Sequence, residues 1–139
     1  MTSSKISRGK NFRDEAKRWY DNDCIRLGLS LQDASAYVYA WHEEDDPDCC
    51  KIGYCTKDPF TYIWDGSALS HQRRLPVIFL VLGVPNAHQA KVAEETLHQH
   101  FRERHLNRAT SREWFKVSKS EIVEYVRTHE SDLLQSTAP

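Results

Sequence analysis

Residues 36–55, "AYVYAWHEEDDPDCCKIGYC", decide how the chain folds. The first six alternate aromatic and small or β-branched side chains, a pattern with period two that predicts a strand with Tyr37, Tyr39 and Trp41 on one face and Val38 on the other. "EEDDPD" follows, and its aspartates and Pro47 supply turn chemistry. Cys49 to Cys55 then reads as the returning strand of a hairpin. In such a hairpin Tyr39 and Lys51 can share one sheet face, with Ile52 on the opposite, buried face. Gly53 is a place where a ligand or a neighbouring chain can approach the backbone closely.

Working outward, Phe12, Ala16, Trp19 and Tyr20 recur at helical spacing among charges, which predicts a helix over 12–29 with Gly28 as its stop. "TKDPF" offers a cap and a first-turn proline for a helix over 56–74. "LPVIFLVLGV", residues 75–84, is a continuous apolar run of strand length, as expected of a buried central strand. Asn86 with Gln89 resembles a capping box, opening a helix whose Ala90, Ala93, Leu97 and Phe101 form one apolar stripe. "EWFKV" is a short strand candidate, and Ser118 with Glu121 caps a last helix. The expected fold is α+β: a small three-stranded antiparallel sheet flanked by helices. Its parts are a basic helical N-terminal extension over 1–34, one domain over 35–128, and a flexible tail over 129–139.

A chain of 139 residues with 40% hydrophobic and 11% aromatic side chains has the size and composition of one globular domain. Without an apolar run of bilayer length or a secretory signal pattern, it is expected to be cytoplasmic, with no membrane partner and with Cys24, Cys49, Cys50 and Cys55 as thiols. The net charge of −1 is unevenly spread. Lys10, Arg13 and their neighbours make the start basic, Glu43 to Asp48 gather five carboxylates, and Arg102, Arg104, Arg108 and Arg112 form a second basic run. Such runs either contact phosphates or form a solvated helix face.

Helical geometry separates Glu94 from Glu95. At about 100° per residue, Glu94 falls roughly 55° from the centre of the apolar stripe and Glu95 about 155° away. Glu94 therefore sits at the rim of the core, where a carboxylate calls for a partner: a cation, or a salt bridge to Arg102 or His98. His98 is one turn from Glu94 and can orient it. The cysteines with His98 and His100 lack the paired spacing of a structural zinc site, because the adjacent Cys49 and Cys50 point to opposite faces of a strand. The acidic turn lacks the alternation of a calcium loop. Trp114 and Phe115 read as core, with base stacking as the alternative.

"YVY" at 37–39, "KIG" at 51–53, "EETLHQHF" at 94–101 and "EWF" at 113–115, in that order, resemble the GIY-YIG nuclease superfamily and most closely its phage-type subfamily. The resemblance covers about residues 36–127. It implies that Tyr39 closes the first motif, that Lys51 stands where many members carry a second tyrosine, and that Glu94 holds one divalent metal, Mg or Mn, against a scissile DNA phosphate. A lysine there serves as base only if burial or a neighbouring cation depresses its pKa. The chain departs from the family at the helix after the second motif, where members carry an arginine. Thr61 or Tyr62 stands there, unless Lys57, Arg73 or Arg74 substitutes.

These observations leave three functions to separate: a metal-dependent DNA endonuclease acting through Tyr39, Lys51, Glu94 and His98, a DNA-binding module without cleavage, and a protein-interaction domain. In the first two, Lys10, Arg13, Lys57, Arg73, Arg74 and Arg102 are the expected DNA contacts. A homodimer is compatible with the sequence and not required by it.

Overall fold

The computed structural model describes residues 12–69, 74–108 and 111–135. Lys10 and Arg73 lie outside the described residues. The fold is α+β, built as helix α1 (Phe12–Asn22), strands β1 (Ile25–Gly28), β2 (Ala36–Glu43) and β3 (Cys50–Cys55), helix α2 (Pro59–Leu69), strand β4 (Pro76–Val84), helix α3 (Ala87–His100), strands β5 (His105–Arg108) and β6 (Ser111–Phe115), and helices α4 (Lys119–Thr128) and α5 (Glu130–Leu134).

The strands form one sheet in the order β1-β4-β2-β3-β6-β5, larger than the three strands expected. β2 and β3 are the predicted hairpin, with Tyr39 opposite Gly53 and Trp41 opposite Lys51. β4, expected as a central strand, is interior but second from the edge, antiparallel to β2 and parallel to β1. The additional strands lie towards the edges. The first helix ends at Asn22 rather than at Leu29, and four residues of the expected helix are β1, which local periodicity hides because the strand is too short to show its own pattern. Gly28 closes β1 at φ 73°, and a side chain there would collide with the Gly83 carbonyl of the parallel neighbour. Residues 12–28 are thus part of the sheet and core, not an appendage to it.

The expected flexible tail also needs correction. Residues 130–134 form α5, Leu133 is buried, the Leu133 carbonyl accepts from Gln89 Nε2 at 2.6 Å, and the Gly28 amide donates to Glu130 at 2.7 Å. Contacts distant in sequence fix a segment whose own composition is too polar to do so.

The sheet carries two cores. On one face Val38, Ala40, Ile52, Leu80 and Leu82 pack beneath Ala90, Ala93 and Leu97 of α3 and Phe101 just past its end. On the other, Tyr37, Tyr39, Trp41, Trp114 and Val81 pack against Phe60, Ile63 and Trp64 of α2, with Phe12, Ala16 and Tyr20 of α1 against their rim. Asn86 caps α3 by accepting from the Gln89 amide at 2.8 Å, and Ser118 caps α4 in the same way. Asp58 caps α2, with Pro59 as its first residue.

Candidate active site

The ladder between β3 and β6 is short: Cys50 pairs with Phe115 and Lys51 with Trp114. Beyond Lys51 the two strands part, and the polar side chains gather at that opening. The Ile52 carbonyl, one residue past the last pair, accepts from His98 Nε2 at 2.8 Å, which pins α3 against β3. Glu94, one turn earlier on α3, is only 8% exposed. Its carboxyl is hydrogen-bonded to that of Glu113 on β6. Burial, then the charge and hydrogen bond of Glu113, raise the Glu94 pKa from 4.5 to about 7, so Glu94 keeps its proton to near neutrality.

Tyr39 reaches the same opening from β2. Its ring lies across Gly53: a Cβ on Gly53 would stand 2.5 Å from the Tyr39 hydroxyl oxygen and 2.9 Å from Glu113 Oε1. Glycine is therefore required here by close approach, not by a turn. Burial, with the negative charge of Glu113, pushes the Tyr39 phenol well above its ordinary range, so it remains protonated and acts as a hydrogen-bond donor. Lys51 Nζ lies 3.9 Å from Glu113 Oε1 and 6.0 Å from the centre of the Trp41 ring. Tyr39, Lys51, Glu94 and Glu113 thus form one constellation, with His98 bracing its helix wall 3.9 Å from Glu94.

Sequence reasoning missed Glu113 as a site residue. The available signal was the strand pattern: Glu113 shares a face with Phe115, towards α3, where a carboxylate needs a partner. It also left open whether Thr61 or Tyr62 stands at the α2 position where the resemblance leads one to expect an arginine. Thr61 is exposed, while the Tyr62 ring centre lies 6.2 Å from that of Tyr39.

The expected DNA contacts divide. Arg13 donates to the Trp64 carbonyl at 2.8 Å and stacks on its ring, tying α1 to α2. Arg74 pairs with Asp45 at 3.1 Å and Glu43 at 3.8 Å, at the acidic hairpin end of β2 rather than at the opening. Neither cation joins the constellation. Lys57 is exposed just past β3. Arg102 borders an open groove of about 430 Å³ with Glu95, His98, Gln99, His105 and Phe115.

The family model of the T5orf172 domain matches residues 36–130, well over half of the chain. The chain belongs to the T5orf172 domain family. This is a phage-associated domain found in some HNH/GIY-YIG-like endonuclease contexts. No curated protein and no solved structure matches the chain. The matched span of this T5orf172 domain runs from β2 into the start of α5 and contains all four residues of the constellation. Among the described residues no helix is long and apolar enough to cross a membrane.

Proposed function

We propose that this T5orf172 domain protein is a metal-dependent DNA endonuclease that hydrolyses phosphodiester bonds at the opening between β3 and β6. The observation that carries the reading is the meeting of a hydrogen-bonded carboxyl pair with a lysine and a buried phenol, side chains drawn from four separate elements.

The residues fit a hard divalent cation. Glu94 and Glu113 offer carboxylate oxygens in contact, and the proton that Glu94 keeps there is one a cation can replace. Two carboxylates are enough for Mg or Mn, ions that use one or two protein carboxylates and retain water. Glu94 would be the ligand. When bound, the metal would polarise the phosphate and stabilise the charge that develops on it.

The chain's own groups do the remainder. The protonated Tyr39 hydroxyl donates a hydrogen bond to a phosphate oxygen or to the attacking water, and Lys51 directs its ammonium towards the same anion. Glu113 Oε1, which faces both, accepts the proton of that water as its oxygen bonds to phosphorus and the sugar oxygen leaves. His98 keeps α3 in register by its bond to Ile52, acting on Glu94 and not on substrate.

The test is nicking of supercoiled plasmid with Mg and Mn, comparing wild type with Glu94→Ala and Glu113→Gln. Wild type nicks, and each variant loses about 10²-fold or more. Equal nicking by wild type and Glu94→Ala would sink the site. The tyrosine that stands beside Tyr39 in place of a helix cation favours a second reading, DNA binding without cleavage. Salt-dependent retardation of DNA without nicking by wild type is its signature.

A further inference from the structure

Most aromatic side chains on the α2 face of the sheet are buried, but Tyr62 is 48% exposed. The local cause is the geometry of α2. The Asp58 carboxylate accepts from the amides of Phe60 and Thr61 at 2.9 and 3.3 Å, which fixes the first turn. With that turn fixed, Phe60, Ile63 and Trp64 turn inward, and Tyr62 is left off the buried stripe.

Tyr62 is nevertheless braced. Its ring is tilted by 50° against Tyr39, so it leans on the residue whose hydroxyl enters the carboxyl site. The other large apolar side chains exposed among the described residues stand elsewhere: Trp19 leans on Tyr20 of α1, and Leu29 and Leu31 follow β1. A single exposed ring is too small for a protein-docking patch. It has the size and shape of a platform for one planar group. Tyr39, on which it leans, carries its hydroxyl into the site where Lys51 holds its ammonium beside Glu113, a donor and a cation of the kind that receive a phosphate. A ligand with a planar ring one sugar away from a phosphate is a nucleotide unit of a nucleic-acid strand.

We infer that Tyr62 is the stacking platform for the nucleobase flanking the scissile phosphodiester, so that the protein prefers DNA whose base at that position is unpaired. This rests on the DNA reading above. Every base presents a π face, so the contact is tolerant of sequence, but it requires the base to leave its neighbours in the duplex. Single-stranded, frayed or mismatched DNA therefore binds more tightly than an intact duplex.

The experiment uses oligonucleotides carrying 2-aminopurine at successive positions, titrated without divalent metal into wild type, Tyr62→Phe and Tyr62→Leu. Wild type and Tyr62→Phe quench the fluorescence at one position, and binding of single strands weakens about tenfold or more in Tyr62→Leu, with the quenching lost. Nicking by Tyr62→Leu shows a raised KM with kcat nearly unchanged. Retained quenching and affinity in Tyr62→Leu would overturn the inference while leaving the DNA reading intact. Equal losses in Tyr62→Phe and Tyr62→Leu would also overturn it, because the hydroxyl and not the ring would then be the contact. Failure of wild type to bind any of these oligonucleotides at low salt would overturn both.

Discussion

The two faces of the sheet are packed with different kinds of side chain. Under α3 most residues are small and aliphatic, with Phe79 and Phe115 beside them, and Ala90, Ala93 and Leu97 are fully buried. Under α1 and α2 they are aromatic and carry polar atoms at their tips: Tyr37 donates to the Leu31 carbonyl at 2.9 Å, Trp64 to Asp21 at 3.2 Å, and Tyr39 reaches the carboxyl site. The difference assigns labour. The aliphatic face fixes a helix and with it Glu94; the aromatic face positions hydroxyl groups. The two contribute to one site only where β3 runs past the end of its ladder with β6.

If close packing under α3 is what fixes Glu94, damage there has the largest effect. Leu97→Ala leaves a cavity one turn from Glu94 and lowers stability by about 2 to 5 kcal/mol, measured by urea denaturation. A loss below about 1 kcal/mol would mean that the face repacks freely and does not hold the carboxylate. Gly53→Ala comes next. Its added methyl group would meet the Tyr39 ring at 2.7 Å and the Glu113 carboxylate at 2.9 Å, so one of them must move. The expected result is about 1 to 3 kcal/mol of destabilisation with nicking lost, and wild-type nicking would show that Tyr39 works from another position.

Gly53 also marks how far the sequence could be read. The hairpin, the glycine as a point of close approach and the rim position of Glu94 were legible, because each follows from a period of two or of 3.6 residues over a long enough stretch. β1 was not. "IRLG" is a strand by virtue of its parallel neighbour β4, more than fifty residues later in the chain. Glu113 escaped for the same reason: its carboxyl meets Glu94 through the pairing of β6 with β3, and nothing within "EWF" states that the ladder stops after two pairs. α5 is held by Gln89 and Gly28, again remote in sequence. Long-range pairing, not local propensity, decided every feature that was missed.

The carboxyl pair offers a subtler test at the boundary of the two faces. Burial and Glu113 raise the Glu94 pKa from 4.5 to about 7, so between those values the folded chain keeps a proton that the unfolded chain has lost. In the absence of metal this contribution is fully present below pH 4.5 and falls away as pH rises through about 7. The expected loss is on the order of 1 to 2 kcal/mol between pH 5 and 8, removed in Glu94→Gln and offset by added Mg. Identical pH profiles for wild type and Glu94→Gln would show that Glu94 does not keep its proton in the folded chain.

The smallest effect concerns the cysteines, which the two faces bury without using. Cys50 lies on the α3 face and donates to the Val117 carbonyl at 3.1 Å; Cys55 lies on the aromatic face and donates to that of Lys57 at 3.2 Å. Burial pushes the thiols of Cys24 and Cys50 up to about 12 and that of Cys55 to about 11, so all three stay protonated where most thiols begin to ionise. Cys49, on the turn side of β3, is the more accessible one. A thiol reagent at pH 8 should therefore label the native chain rapidly at Cys49, while the other three react at the rate of unfolding. Labelling has little effect on nicking, because no sulfur belongs to the constellation. Fast labelling of Cys55 alone would place the loosening on the aromatic face, next to α2 and Tyr62; fast labelling of Cys50 would place it under the α3 packing that fixes Glu94.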